Sequence, residues 1–321
     1  MVTTGNESID YVHEIIRMKA EKNAIILAHY YQTDDIQDIA DFVGDSLGLS
    51  QKAASNDAEI ILFAGVKFMA ETAKILAPEK KVLIPDLDTG CSLADSCKPE
   101  DFKRFIKENP GRTVVTYVNT NIEVKALSDI ICTSSNAVQI VDSLPKEERI
   151  LFAPDRNLGN YILNKTGRDI KIWNGTCHVH EEFSLEAILK LKEENPGSRI
   201  IVHPECELPV RIVADYIGST AGLLQFTKND EGSCYIIATE PGIIHQMKKE
   251  NPGKKYIPAP PKDSTCGCSE CNFMKLITLE KVYKCLKEDK PEILIEKRLL
   301  ADARKPIKRM MDISKNLVVN R

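Results

Sequence analysis

Three kinds of chemically capable residue recur at matching places along this chain. A polar pair two residues apart closes an apolar run in AIILAHYYQ (24–32), RTVVTYVNT (112–120) and SRIIVHPEC (198–206), giving His29 with Tyr31, Tyr117 with Asn119, and His203 with Glu205. Seventeen residues beyond His29, Tyr117 and His203 stand the hydroxyls Ser46, Ser134 and Thr220, in DFVGDS, DIICTS and DYIGST. A cysteine ends each stretch: Cys91, Cys177, and one of Cys266, Cys268 and Cys271. Imidazole, phenol and carboxylate move protons, hydroxyls at helix starts hold anions, and thiolates hold metal.

One thiolate per repeat suits a 4Fe-4S cube with three irons bound by protein and the fourth open to a substrate oxygen as a Lewis acid. The competing arrangement is zinc closed by four ligands, for which Cys268, Cys271 and the His178 and His180 of HVH are at hand. The CxxxCxxC run of radical enzymes that cleave S-adenosylmethionine is absent, so non-redox chemistry is expected. Spacing favours Cys266 as the third thiolate, 63 residues after His203 against 62 (29 to 91) and 60 (117 to 177). Cys132, Cys234 and Cys285 sit in apolar runs and are expected to behave as small buried hydrophobes, with Cys132 and Cys206 beside the pocket as wall residues. Cys97, Cys266 and Cys268 read either as a regulatory thiol pair or as idle surface thiols. Ten cysteines in a chain placed in the cytoplasm are not a disulfide framework.

These residues need elements that bring them together. The further runs IILFAG (60–65), ILFAP (150–154), YIIATE (235–240), KVLIPD (81–86), IKIWN (170–174) and KYIPA (255–259) are apolar throughout, as strands covered on both faces are. Helical patterns lie between them, such as DDIQDIADFVG (34–44) with Ile36, Ile39, Ala40 and Val43 on one face. Alternating strands and helices imply βαβ crossovers and parallel sheets. The period is 88 residues (29 to 117) and then 86 (117 to 203), which predicts three similar αβα sandwich domains, 1–108, 109–194 and 195–321, around a pseudo-threefold axis and a central active site. Ser46, Ser134 and Thr220 are then expected as N-caps pointing at that axis, forming a pocket for carboxylates and phosphate. Lys67, Arg156, Arg211 and Lys228 are candidates for charge near it.

Composition agrees with an enzyme-sized body: 321 residues, 43% hydrophobic and 28% charged, with a net charge of −4. Scattered lysines give no nucleic-acid signal, and ARKPIKR (303–309) reads as a solvated helix face. No apolar run approaches the roughly 18 residues of a membrane span. The N-terminal stretch lacks a signal-peptide core and reads as an amphipathic helix with Ile9, Val12, Ile15 and Ile16 on one face, so a cytoplasmic location is expected.

Taken together, LAHYYQ, DFVGDSL, GCSLADSC, TYVNT, CTSSNA, WNGTCHVH, HPEC, GSTAG, ATEPG and CNFMK resemble the quinolinate synthase family, the A proteins of de novo NAD biosynthesis, over nearly the whole chain. The resemblance implies one 4Fe-4S cluster with Cys91, Cys177 and Cys271 as ligands, the last because the family's third cysteine stands three residues before a methionine, here Met274. Asn272 departs from the proline usual after that cysteine. It also implies condensation of iminoaspartate with dihydroxyacetone phosphate to quinolinate, releasing phosphate and two waters. An L-aspartate oxidase or an aspartate dehydrogenase would supply the imine. By the same resemblance Glu205, Tyr31 and His203 are catalytic. His29, Ser46, Tyr117, Asn119, Ser134, His203, Glu205 and Thr220 contact substrate. His178 and His180 flank a ligand cysteine and read either as groups that orient or hydrogen-bond its sulfur or as plain loop residues. A zinc-containing binding protein or an iron-sulfur redox sensor without catalysis is the alternative.

Overall fold

The computed structural model describes residues 9–263 and 269–319. Among them, twelve strands form three four-stranded sheets in which every pairing is parallel. The first contains β1 (Ala24–His29), β2 (Phe42–Gly44), β3 (Ile60–Ala64) and β4 (Lys81–Leu83); the second β5 (Thr113–Tyr117), β6 (Ile130–Cys132), β7 (Ile150–Ala153) and β8 (Ile170–Ile172). The third contains β9 (Arg199–Val202), β10 (Tyr216–Ile217), β11 (Cys234–Ala238) and β12 (Lys255–Pro258). All three share the order second, first, third, fourth strand. Helices separate the strands, so the chain folds as three αβα units, as the repeats predict.

The continuous apolar runs become strands because both faces are covered. Ile60, Leu62 and Ala64 of β3 pack with Ile15 and Met18 of the helix Tyr11–Glu21, while Ile61 and Phe63 join a core shared with the second sheet. The same alternation divides Ile236 and Ala238 from Tyr235 and Ile237 in β11. Each such apolar side chain contributes about 1.5–3 kcal/mol on burial. An aspartate locks each first strand to its neighbour. Asp41 Oδ2 accepts from Ile26 N at 2.7 Å, Asp129 Oδ2 from Val114 N at 2.8 Å, and Asp215 Oδ2 from Ile200 N at 2.7 Å. These are the leading aspartates of DFVGDS, DIICTS and DYIGST.

That lock corrects one expectation. The helix predicted over 34–44 ends at Ile39, because Asp41 N also donates to Ile26 O, at 2.9 Å, and draws Phe42–Gly44 into the sheet as β2. The N-terminal helix forms with a different buried face. Ile15 is buried, but Ile9, Val12 and Ile16 are 49%, 39% and 55% exposed. The stripe Tyr11, Ile15, Met18 faces inward instead, since Tyr11 meets Tyr283 of the helix Leu279–Glu288 at 5.4 Å between ring centroids.

After β12 the chain returns to the other two sheets. The helix Leu279–Glu288 buries Val282, Cys285 and Leu286 in the core beside the first sheet. The helix Lys297–Val319 lays Ala303, Ile307 and Met310 into the core shared by the first two sheets, and leaves Arg304, Lys305, Lys308 and Arg309 exposed. Among the described residues, no helix is long and apolar enough to cross a membrane.

A seam of backbone carbonyls joins the first and third units. Gln37 Nε2 lies 2.9–3.0 Å from Tyr30 O, Gln32 O and Gly242 O. A Cβ on Gly242 would sit 2.8 Å from Tyr30 O and 3.0 Å from Gln32 O, whereas one on Gly253 would meet nothing within 4 Å. Gly242→Ala should therefore destabilise by ~1–3 kcal/mol in urea unfolding, and Gly253→Ala should stay within about 0.5 kcal/mol of the parent.

Candidate active site

In open parallel sheets the ligand crevice lies beyond the carboxyl ends, where the first and third strands send the chain to opposite sides. Here three such ends enclose one central cavity of about 70 Å³, room for several waters. His29 and Tyr117 are the last residues of β1 and β5, Tyr31 and Asn119 lie two residues beyond them, and His203 and Glu205 follow β9. All six line the cavity, together with Ser46, Ser134, Thr220, Cys91, Cys177 and Cys271.

Burial and a repeated local hydrogen bond fix the two imidazoles. The amide of Tyr31 donates to His29 Nδ1 at 3.2 Å, and that of Glu205 to His203 Nδ1 at 3.3 Å. Each ring therefore carries its proton on Nε2. Burial pushes both histidines down to about 3, so they stay neutral donors. For Glu205 burial acts to raise the pKa, but His180 and His203 beside it overcome this and hold the carboxyl low, at about 2. Asp155, buried and facing Glu205, is pushed well above the usual carboxylate range and keeps its proton. Burial likewise holds the Tyr31 phenol protonated.

A hydrogen-bonded chain connects the phenol to the carboxylate. Tyr31 Oη meets Thr239 Oγ1 at 2.7 Å, Thr239 Oγ1 meets His180 Nε2 at 2.9 Å, and His180 Nδ1 lies 2.9 Å from Glu205 Oε2. Tyr31 Oη also reaches Thr220 Oγ1 at 2.7 Å, tying the first unit to the third. Asn119 Oδ1 and Glu205 Oε1 are buried without hydrogen-bond partners. Buried polar atoms are normally paired, so two unpaired oxygens on residues that line one cavity mark a place built for a ligand.

The helix starts differ from expectation by one or two positions. Asp45 and Ser219 are the caps, accepting from Gly48 N at 3.0 Å and Gly222 N at 3.1 Å, and Asn136 precedes the helix Ala137–Asp142. Ser46 and Thr220 are instead the first helical residues, and Ser134 lies in the turn before its helix. Their hydroxyls are thus not consumed by capping. Ser135 Oγ bonds to Asp45 Oδ2 and, at 2.7 Å, to Ser219 Oγ, so the three units are stitched at these starts.

Each thiol opens a short helical turn whose amides point back at its sulfur: Leu93 and Ala94 at Cys91, His180 at Cys177, Phe273 and Met274 at Cys271. Burial pushes Cys91 up to about 12 and Cys271 to about 11, with Cys271 adding to the shift at Cys91, and it raises Cys177 well above the usual thiol range. Only a cationic centre would strip these protons. The loops interlock: Ser92 Oγ meets His178 Nδ1 at 2.8 Å, and Gly90 has Phe273 3.2 Å from where a Cβ would stand. The sole set of three ligand atoms within 4.8 Å of one another among the described residues is Cys177, His180 and Glu205, so Cys91 and Cys271 do not close on one ion with Cys177. Thiols sharing a cavity without that closure fit a multi-atom cluster better than a single tetrahedral ion, whose ligand atoms stand roughly 4 Å apart or less. Cys266 and Cys268 lie outside the described residues.

The predicted charged groups are elsewhere. Lys67 borders a separate groove with Glu71 and Glu292, Arg156 pairs with Glu181, Lys228 pairs with Glu250, and Arg211 is buried against the Tyr161 ring. Among the described residues no lysine or arginine lines the cavity. Cys132 and Cys206 are buried in apolar cores and do not line it, and Cys97 is buried rather than superficial. The sequence reading missed Asp45, Thr239 and Glu240. Glu240 is pushed up to about 7 by burial, partly offset by Lys275 at 2.9 Å. Thr239 and Glu240 directly follow β11, so the strand-end rule applied to third strands would have found them.

Three repeated parallel α/β units closing on a buried set of acid-base side chains and thiols define a multidomain α/β enzyme with its centre between the units. Residues 13–312 match the family model described as quinolinate synthetase A protein. The chain is 56% identical over 305 residues to the quinolinate synthase of Microcystis aeruginosa, covering 95% of each. It is 55% identical over 300 residues to that of a Synechococcus strain, covering 94% of each, and 52% identical over 307 residues to that of Chloroherpeton thalassium, covering 96% of this chain and 95% of the relative. The chain belongs to the quinolinate synthetase A protein family.

The buried rings predict a pH dependence. Unfolded histidine takes a proton near 6.5 and folded His29 only near 3, so the unfolded state binds more protons between these values and stability falls as pH drops from 6.5 toward 3. The loss approaches roughly 4 kcal/mol for such a ring. Urea midpoints across this range should fall less steeply in His29→Gln than in the parent.

Proposed function

We propose that this chain condenses iminoaspartate with dihydroxyacetone phosphate to quinolinate, releasing phosphate and two waters, in the central cavity. The observation that carries this is the hydrogen-bonded chain from Tyr31 to Glu205, which puts a protonated acid and an ionised base on one buried site. An L-aspartate oxidase or an aspartate dehydrogenase would furnish the imine. Closing the pyridine ring requires protons to leave carbon and nitrogen and to reach departing oxygens several times.

Glu205, ionised and with Oε1 unpaired, takes those protons. Tyr31, held in its phenol form, gives one to a departing oxygen, and Thr239 with His180 can pass a proton back to it from Glu205. His203, fixed with its proton on Nε2, orients substrate beside Glu205. His29, Ser46, Tyr117, Asn119, Ser134 and Thr220 hold phosphate and carboxylate oxygens through neutral donors. Cys91, Cys177 and Cys271 would hold one 4Fe-4S cluster, which supplies an iron without a protein ligand as Lewis acid. That iron would offer a local acceptor for substrate oxygens in a cavity that lacks lysine and arginine among its described residues.

Glu205→Gln and Tyr31→Phe should lower quinolinate formation by ~10² to 10⁴ with iron and sulfide content unchanged; turnover near the parent rate in Glu205→Gln would remove the carboxylate from the mechanism. Anaerobically purified protein should be brown with about four irons and four sulfides per chain. Cys91→Ala, Cys177→Ala and Cys271→Ala should each lose the cluster, and Cys266→Ala and Cys268→Ala keep it. Stoichiometric zinc without sulfide, or a cluster lost in Cys266→Ala but kept in Cys271→Ala, would contradict this assignment.

A further inference from the structure

We propose that the chain, when it carries no cluster, binds one divalent ion of the zinc class at Cys177 Sγ, His180 Nδ1 and Glu205 Oε2. The three atoms lie within 4.8 Å of one another. Nδ1 is 3.1 Å from the sulfur and 2.9 Å from the carboxylate oxygen. Tetrahedral zinc, with bonds of roughly 2.0–2.3 Å, sets its ligand atoms about 3.2–3.8 Å apart, close to the two distances that Nδ1 makes.

The imidazole is prepared for this. Its Nε2 lies 2.9 Å from Thr239 Oγ1, so with an ion on Nδ1 the ring carries its proton on Nε2 and donates it to that hydroxyl, which fixes the plane of the ring. His180 also stacks on His203, with ring centroids 4.5 Å apart, which restricts tilting. His180 and Glu205 are 3% and 2% exposed, and Glu205 Oε1 has no hydrogen-bond partner. Charge balances: a thiolate and a carboxylate neutralise a dication, so the buried unit carries no net charge and escapes the large desolvation penalty of an unpaired ion. Sulfur, nitrogen and oxygen donors together favour zinc over magnesium or calcium, which prefer oxygen alone. All three residues line the cavity, so its water can take the fourth position.

In the bound state the ligands are a thiolate, a neutral imidazole and a carboxylate, and the proton of the Cys177 thiol leaves to solvent. The ion would occupy a proposed cluster ligand and the proposed base together, and so would oppose both cluster assembly and catalysis. That consequence rests on the proposed function; the ion site itself does not.

Cobalt(II), added anaerobically to cluster-free full-length protein, reports the site through tetrahedral d–d absorption and a thiolate-to-cobalt charge-transfer band. One cobalt per chain, displaced by zinc and with the intensity of a single thiolate, is expected. His180→Gln and Cys177→Ser should weaken binding by at least ~10–100-fold, the loss that removing even a partner of a ligand causes, and Cys91→Ser and Cys271→Ser should bind as the parent does. Circular dichroism and urea midpoints confirm that each variant is folded, and Glu205→Gln serves as an independent ligand deletion if one is not. If Cys91→Ser or Cys271→Ser weakens cobalt as much as His180→Gln does, the ion sits on the three thiols and the proposal fails. Reconstitution with iron and sulfide is read separately. His180→Gln should still assemble a cluster, whereas failure of the parent chain to do so would count against the proposed cofactor and leave the cobalt result standing.

Discussion

No single sheet in this chain can enclose a site, and the rest of the structure follows from that constraint. A parallel αβα unit offers one crevice beyond the carboxyl ends of its strands, open to water on its outer side. The cavity exists because three crevices face one another and are held so by hydrogen bonds between the units. Tyr31 is tied to Thr220 and Thr239, and Ser135 to Asp45 and Ser219. The Gln37 seam adds a third tie between the first and third units. Each is a bond between polar groups worth only about 1 kcal/mol net. The greater holding force is apolar: one core runs without interruption from Leu27 and Ile61 of the first sheet to Val115 and Phe152 of the second, sealed by Met274 and the helix Lys297–Val319.

Enclosure then sets the chemistry. The same loss of water that keeps His29 and His203 neutral keeps Tyr31 and Asp155 protonated. Glu205 escapes that trend through His180 and His203 at its side. Acid and base are thus separated by environment within one small volume, as buried sites allow. The thiols obey the same rule, remaining protonated until a cation displaces the proton. In place of lysine or arginine the described lining offers imidazole N–H groups, hydroxyls and helix starts.

Much of the fold was legible from the residues. Runs that are apolar on both faces can only be covered strands, and repetition at 88 and 86 residues fixed three units. The polar pairs were legible because a period of two puts residues i and i+2 of a strand end on one side; the amide of residue i+2 also meets the imidazole Nδ1 in both histidine pairs. The N-terminal helix was harder. Two apolar stripes were available to it, and its neighbour, not its own periodicity, selected Tyr11, Ile15 and Met18. Residues 42–44 were misread as helix because the decisive bond is non-local, from Asp41 back to Ile26.

What the sequence determined by itself is the set of local units: which segments become strands, which residues end them, and how far apart the equivalents lie. Local sterics and burial patterns decide such things within a few residues of chain. Only the tertiary structure decided that His180 of the second unit stands between Glu205 and Thr239 of the third, and that Thr239 also meets Tyr31 of the first. It decided too that Lys67, Arg156, Arg211 and Lys228 turn away from the cavity. Those outcomes depend on the angles at which three packed units meet. Such angles come from the summed fit of side chains distant in sequence, a quantity that no local spacing encodes.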